Sequence, residues 1–140
     1  MADIAVFVDS RGGNTRKVAD AIAEELGVTV GDITAPLPGD AKTLFLGSGT
    51  YGGAPGIEMM KFITDGTFEG RKVALFGTSG GDGGAQKMIA AMEDALKKKG
   101  ATILGSFHCR GKMFLVNWGR PDKDDLDNAK KFARDMVRVP

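Results

Sequence analysis

The chain has 140 residues, which suits one domain built on one core, taken as residues 1–140. At 42% hydrophobic and 26% charged, its composition is that of an ordinary globular protein. A formal net charge of +1 excludes a global pull towards nucleic acid or an anionic membrane. The single cysteine, Cys109, excludes an intramolecular disulfide and a self-contained cysteine-ligated zinc or iron–sulfur site, and fits a reducing, cytoplasmic compartment. Met1-Ala2-Asp3 runs straight into apolar residues without a basic start, so no signal peptide is expected. No apolar run reaches the roughly 20 residues that span a bilayer.

Ile4 to Val8 is a short apolar run closed by Asp9-Ser10-Arg11-Gly12-Gly13, the pattern of a strand buried on both faces. Asn14 to Leu26 follows a helical period, with Val18, Ala19, Ile22, Ala23 and Leu26 on one face and Gly27 as its C-terminal cap. Val28 to Ile33 is a second strand, weakened by Gly31, and Pro36, Pro38 and Gly39 make a loop after it. Thr43 to Gly47 reads as a third buried strand, and residues 57–65 as a short helix. Lys72 to Phe76 is the fourth strand, and residues 85–99 form a helix with Met88, Ile89, Met92 and Leu96 inward. Thr102 to Phe107 is the fifth strand, and Pro121-Asp122 opens the last helix. Alternation with helix-length crossovers predicts an α/β fold: a parallel sheet covered by helices on both faces.

The glycines cluster at informative places. Gly12-Gly13 follows the first strand, Gly47 to Gly56 the third, and Gly77 to Gly84 the fourth. In a parallel sheet all three loops emerge at the carboxyl ends of the strands, where ligands of open α/β sheets bind. Clustered glycines there imply close backbone approach to something flat or anionic. Ser10-Arg11-Gly12-Gly13-Asn14-Thr15 offers N–H groups and hydroxyls at a helix start, which makes an anion site; it also reads as a capped helix after a tight turn. It is neither a Walker loop nor a dinucleotide fingerprint. Tyr51, the only tyrosine, lies between Thr50 and Gly52-Gly53. It can serve as a stacking surface for an aromatic ligand or as cover for a neighbouring loop.

Taken together, these segments resemble the flavodoxin family along the whole chain. That family's phosphate loop, Ser/Thr-x-Thr-Gly-x-Thr, is matched by Ser10, Gly13 and Thr15, with Arg11 and Asn14 between; Gly12 stands where a hydroxyl-bearing residue is usual. The departure removes one phosphate hydrogen bond, worth about 1 kcal/mol. The family's Gly-x-x-Thr/Ser-Trp/Tyr-Gly loop is matched by Gly47-Ser48-Gly49-Thr50-Tyr51-Gly52, followed by Gly53. The resemblance implies that Tyr51 stacks on one flavin face and that the Gly52 carbonyl turns towards flavin N5 in the one-electron-reduced state. It implies that Thr78, Ser79, Gly80 and Gly81 line the ring's polar edge. The aromatic residue usual in this third loop is replaced by Asp82-Gly83-Gly84. The resemblance further implies a doubly wound five-stranded parallel sheet of order 2-1-3-4-5, bound FMN, and a monomer. Its role would be low-potential one-electron transfer between a donor reductase and an acceptor enzyme, with no substrate of its own.

Other chemistry is thin. His108 and Cys109 follow the fifth strand with no triad or metal set around them and read as structural. Trp118 reads as packing under the last helix, with covering the second flavin face as the weaker alternative. The competing functions are an FMN-dependent NAD(P)H:quinone or metal reductase on the same fold, and a receiver domain with Asp9 as its acid. The first needs an added substrate loop for which the chain spares no residues. The second lacks an acceptor aspartate after the third strand, where Gly47-Ser48 stands.

Overall fold

A computed structural model describes residues 3–81, 83–111 and 119–138 of the protein. Strand β1 (Ile4–Asp9) leads into helix α1 (Asn14–Leu26), and β2 (Thr43–Gly49) into α2 (Ile57–Asp65). Then β3 (Lys72–Ser79) is followed by α3 (Gly84–Lys98), and β4 (Thr102–Arg110) by α4 (Lys123–Val137). The strands form one parallel sheet in the order β1-β2-β3-β4.

The two-residue side-chain period of a strand explains why both sheet faces are covered. Ile4, Val6 and Val8 of β1, Phe45 of β2, and Ala74 and Phe76 of β3 point to one face. There they pack with Val18 and Ile22 of α1 and Ala129, Phe132 and Ala133 of α4. Phe7, Leu44, Leu46, Val73 and Leu75 point to the other face, against Met59, Phe62 and Ile63 of α2 and Met88, Met92 and Leu96 of α3. Phe45 meets Phe132 edge-on at 6.0 Å, and Phe7 meets Phe62 at 4.7 Å. Such aromatic pairs add roughly 0.5–1.5 kcal/mol each beyond their buried area.

The sheet differs from the sequence expectation in one element. Among the described residues it has four strands rather than five, and their order is the 1-3-4-5 part of the expected 2-1-3-4-5. The segment 28–33, expected as a strand, makes only one parallel bridge, Val30 to Val6, with Gly31 N–H donating to Val6 O at 2.8 Å. The pairing stops for local reasons. A Cβ at residue 31 would stand 2.5 Å from the Phe7 ring, so only glycine fits there. Immediately beyond, Asp32 accepts from Thr34 N–H at 2.8 Å and from the Thr34 hydroxyl at 2.6 Å, turning the chain away. Pro36 and Pro38 then withhold the donors a ladder requires.

The strands also run further than expected at their carboxyl ends. β2 reaches Gly49, β3 reaches Ser79 and β4 reaches Arg110. Consequently Ser48, Thr78, His108 and Cys109 belong to strands rather than to the loops after them. Among the described residues, no helix is long and apolar enough to cross a membrane.

Candidate functional site

The carboxyl ends of β1, β2 and β3 converge because the sheet is parallel, and three short bonds hold their loops together. Thr15, in the first turn of α1, shares a buried 2.8 Å hydrogen bond between hydroxyls with Thr78 of β3. The Thr50 hydroxyl donates to Thr78 O at 2.9 Å, and Gly111 N–H to Ser79 O at 3.0 Å. Between them lies a cleft of about 220 Å³ lined by Ser10, Gly12, Asn14, Thr15, Gly49, Thr50, Tyr51, Thr78, Ser79, Gly80 and Gly111.

A helix begins with backbone N–H groups that have no partner inside it. Two of the four helices meet that need with a carboxylate. Asp9, buried at the end of β1, accepts from Met59 N–H of α2 at 3.0 Å. The approach is close enough that a Cβ on Gly56 would lie 2.0 Å from the Asp9 carboxylate. In α4, Asp122 accepts from Asp125 N–H and the Asp125 side chain accepts from Asp122 N–H, both at 2.9 Å, a complete capping box. The other two helices have no side-chain cap. α1 is preceded by Gly13 and α3 by Gly83, both in the left-handed region with φ of 87° and 77°. Of these, α1 lends Asn14 and Thr15 to the cleft lining, while α3 starts beside it, where a Cβ on Gly84 would lie 3.4 Å from Ser79 and from Thr50. Uncapped N–H groups and the positive end of a helix dipole form an anion site. The site therefore fits the phosphate of a flavin nucleotide at α1, and the glycine-lined loops leave backbone within reach of a planar ring.

Tyr51 lies over the first loop. Its hydroxyl accepts from Arg11 N–H at 2.9 Å, and the Arg11 guanidinium sits 4.0 Å from the ring centroid. The hydroxyl end of the ring lies against Gly49, where a Cβ would meet the hydroxyl at 2.6 Å. The side chain thus lines the cleft with one ring face under the Arg11 guanidinium, held by a cation–π contact and one hydrogen bond.

The residues singled out from the sequence divide into groups. Ser10, Gly12, Asn14, Thr15, Gly49, Thr50, Tyr51, Thr78, Ser79 and Gly80 line the cleft. Arg11 covers Tyr51, Gly13 starts α1, and Gly52, Gly53 and Gly81 lie in the loops outside the cleft lining. Ser48 does not reach the cleft: it is fully buried, donates to Gly49 O at 2.7 Å and accepts from Gly56 N–H at 2.9 Å. Its hydroxyl shapes the second loop from beneath. Gly111 lines the cleft without having been singled out; the signal was one more glycine just past the end of β4. Asp82 and Trp118, on which the expectations about the second ring face turn, lie outside the described residues.

Beside this cleft, a second cavity of about 390 Å³ includes His108, Cys109, Arg110, Arg120 and Asp125 in its lining. Burial pushes the Cys109 thiol up to about 12, and the Asp125 carboxylate adds to the shift. The sulfur is thus a neutral thiol at physiological pH, without nucleophilic character. Burial also raises Asp125, but hydrogen bonds from Arg120 and from the Asp122 backbone outweigh it and hold the carboxyl below its ordinary value. Arg120 grips Asp125 through both Nε and Nη2, the latter at 2.8 Å.

A family model described as a flavodoxin domain matches residues 5–116. A flavodoxin of Klebsiella pneumoniae is 31% identical, over 84% of this chain and 78% of its own. An uncharacterised protein of Methanocaldococcus jannaschii is 32% identical, over 89% of this chain and 91% of its own. Among solved structures, oxidised flavodoxin 2 from Bacillus cereus superposes with a TM-score of 0.77 at 23% identity, covering 97% of this chain and 98% of that one.

Proposed function

Because the chain belongs to the flavodoxin family, whose proteins bind FMN and carry electrons between redox partner proteins, we propose that it holds FMN in the cleft at the carboxyl edge of the sheet. In this reading residues 1–140 form one FMN-binding domain, a cytoplasmic monomer that passes electrons singly at low potential from a donor reductase to an acceptor enzyme. The observation that carries it is the contrast among the helix starts: α2 and α4 are capped by carboxylates, while α1, which lines the cleft, has no side-chain cap.

The bound flavin supplies the one-electron chemistry, and the chain supplies binding and electrostatics. Ser10, Arg11, Gly12, Gly13, Asn14 and Thr15 hold the phosphate through N–H groups and hydroxyls at the start of α1. Ser48 and Gly49 set the second loop, so that Thr50, Tyr51, Gly52 and Gly53 flank one ring face. Thr78, Ser79, Gly80 and Gly81 present N–H groups and carbonyls to the ring's polar edge. The first loop holds the phosphate chiefly by dipoles; its one cation, Arg11, stands over Tyr51, so the phosphate charge beside the ring is only partly offset. That charge disfavours a further electron and sets the working potential low.

The test is an absorption spectrum of the purified protein with added FMN, followed through stepwise reduction. The expected result is a protein-bound flavin band, then a distinct one-electron spectrum before full bleaching. Direct two-electron bleaching together with rapid NADH oxidation by the isolated protein would replace this reading with that of an FMN-dependent quinone or metal reductase. No flavin band at all would refute both.

A further inference from the structure

We infer that Thr78 is a positioning residue for the cofactor's phosphate, acting through Thr15: it donates its hydroxyl proton to Thr15 Oγ1 and so turns the Thr15 O–H towards an anion at the start of α1. The inference rests on the proposal that FMN occupies the cleft. Two structural periods bring the residues together. Along β3, Ala74 and Phe76 pack on the face that α1 and α4 cover, and Thr78 continues that row two residues on. Thr15, the second residue of α1, meets the end of the row. An apolar pair would complete it at less cost, because a hydroxyl gives up water when buried. Instead two hydroxyls stand there 2.8 Å apart, on residues only 1% and 3% exposed.

Two hydroxyls carry two protons, and the bond between them uses one, with either residue able to donate. Among the described residues neither hydroxyl has a further hydrogen-bond partner. The start of α1 does not use the second proton, since no side chain caps that helix. Both residues line the cleft. One O–H is therefore left for a ligand, and the direction of the bond between the threonines decides which residue supplies it. The unpaired N–H groups at the start of α1 draw an anion to the Thr15 side. Thr15 then gives its proton outward, as a charge-assisted bond, and accepts from Thr78. Thr78 fixes the Thr15 hydroxyl in that orientation and polarises it, because hydrogen bonds in series strengthen one another. In this arrangement Thr78 serves the phosphate without touching it.

A relay of this kind gives losses that do not add. The experiment measures FMN affinity by quenching of flavin fluorescence for the full chain, Thr15→Val, Thr78→Val and the double variant, valine keeping the branched shape without the hydroxyl. Thr15→Val is expected to weaken binding about tenfold and Thr78→Val about threefold. The double variant should lose only about tenfold, because Thr78 has nothing to act on once Thr15 Oγ1 is gone. Thr78→Ser, which keeps the hydroxyl, should bind within about twofold of the unaltered chain. Without FMN, the double variant should melt within a few degrees of the unaltered chain, since exchanging both partners for apolar groups of the same shape is nearly neutral. A double variant weaker by roughly thirtyfold, the product of the two losses, would give Thr78 its own contact with the ligand and overturn the inference. So would a Thr78→Val variant that binds as the unaltered chain does, a Thr78→Ser variant as weak as Thr78→Val, or a double variant that does not fold. An unaltered chain that takes up no FMN, or a Thr15→Val variant with full affinity, overturns the reading beneath it.

Discussion

Residue 12 is where the first loop departs from the family's pattern, and the surroundings say what restoring the usual residue does. A Cβ at Gly12 would meet nothing within 4 Å, and its φ is not in the left-handed region. A hydroxyl can therefore be added without displacing anything. Gly12→Ser is expected to tighten FMN binding by about 1 kcal/mol, or roughly fivefold, in a fluorescence-quenching titration. Unchanged affinity would mean that the phosphate lies elsewhere. Single residues also show what the sequence could and could not disclose. Ser10, Thr15 and Tyr51 were legible as cleft residues because they fall in glycine-bearing segments just past strand ends. The bond between Thr15 and Thr78 was not legible, because 63 positions of chain separate them and only the finished sheet brings them together. Ser48 misled for a related reason: it matches the motif, yet its hydroxyl is consumed by Gly49 and Gly56 within its own loop.

Among the elements, α4 depends most on one charged group. Asp125 completes its capping box and receives both arms of Arg120. Its carboxyl is held below the ordinary value near 3.9, so it contributes stability above that pH. The contribution is lost as the pH falls through the depressed folded value. Asp125→Asn should therefore lower stability by about 1–2 kcal/mol at pH 7, a drop of several degrees in melting temperature, and by progressively less as the pH falls below about 3.9. A deficit independent of pH would assign the effect to packing instead. The same scale explains the missing strand. Residues 28–33 carry the β-branched composition of a strand, and composition alone argued for one. What stops the ladder is the turn at Asp32 and the prolines at 36 and 38, local facts that periodicity does not register. The reach of β4 to Arg110 was hidden differently: Ser106, His108 and Arg110 alternate with Phe107 and Cys109 along a half-exposed strand, so its apolar signal fades before its hydrogen bonds do.

For the molecule as a whole, ligand binding and folding are linked, since anything that binds the folded chain alone stabilises it by mass action. FMN at about a hundred times its dissociation constant should add about 2.7 kcal/mol, raising the melting temperature by roughly 5–10 °C. Riboflavin, which has the ring but no phosphate, should raise it far less at the same concentration, because the uncapped start of α1 then has no anion to hold. Equal shifts would place the binding energy in the ring contacts.

Along each strand that feeds the cleft, the apolar core ends before the cleft-lining residues begin: Val8 precedes Ser10, Leu46 precedes Gly49, and Phe76 precedes Thr78. Substitutions in the loops can then accumulate without eroding the interior that keeps the chain folded. A lineage inheriting this scaffold is free to retune which partner it meets and how tightly it grips its cofactor, while the helices and strands behind drift under a separate constraint. The exception is the threonine pair at 15 and 78, buried at the junction of the two regions, where one change would be felt by both.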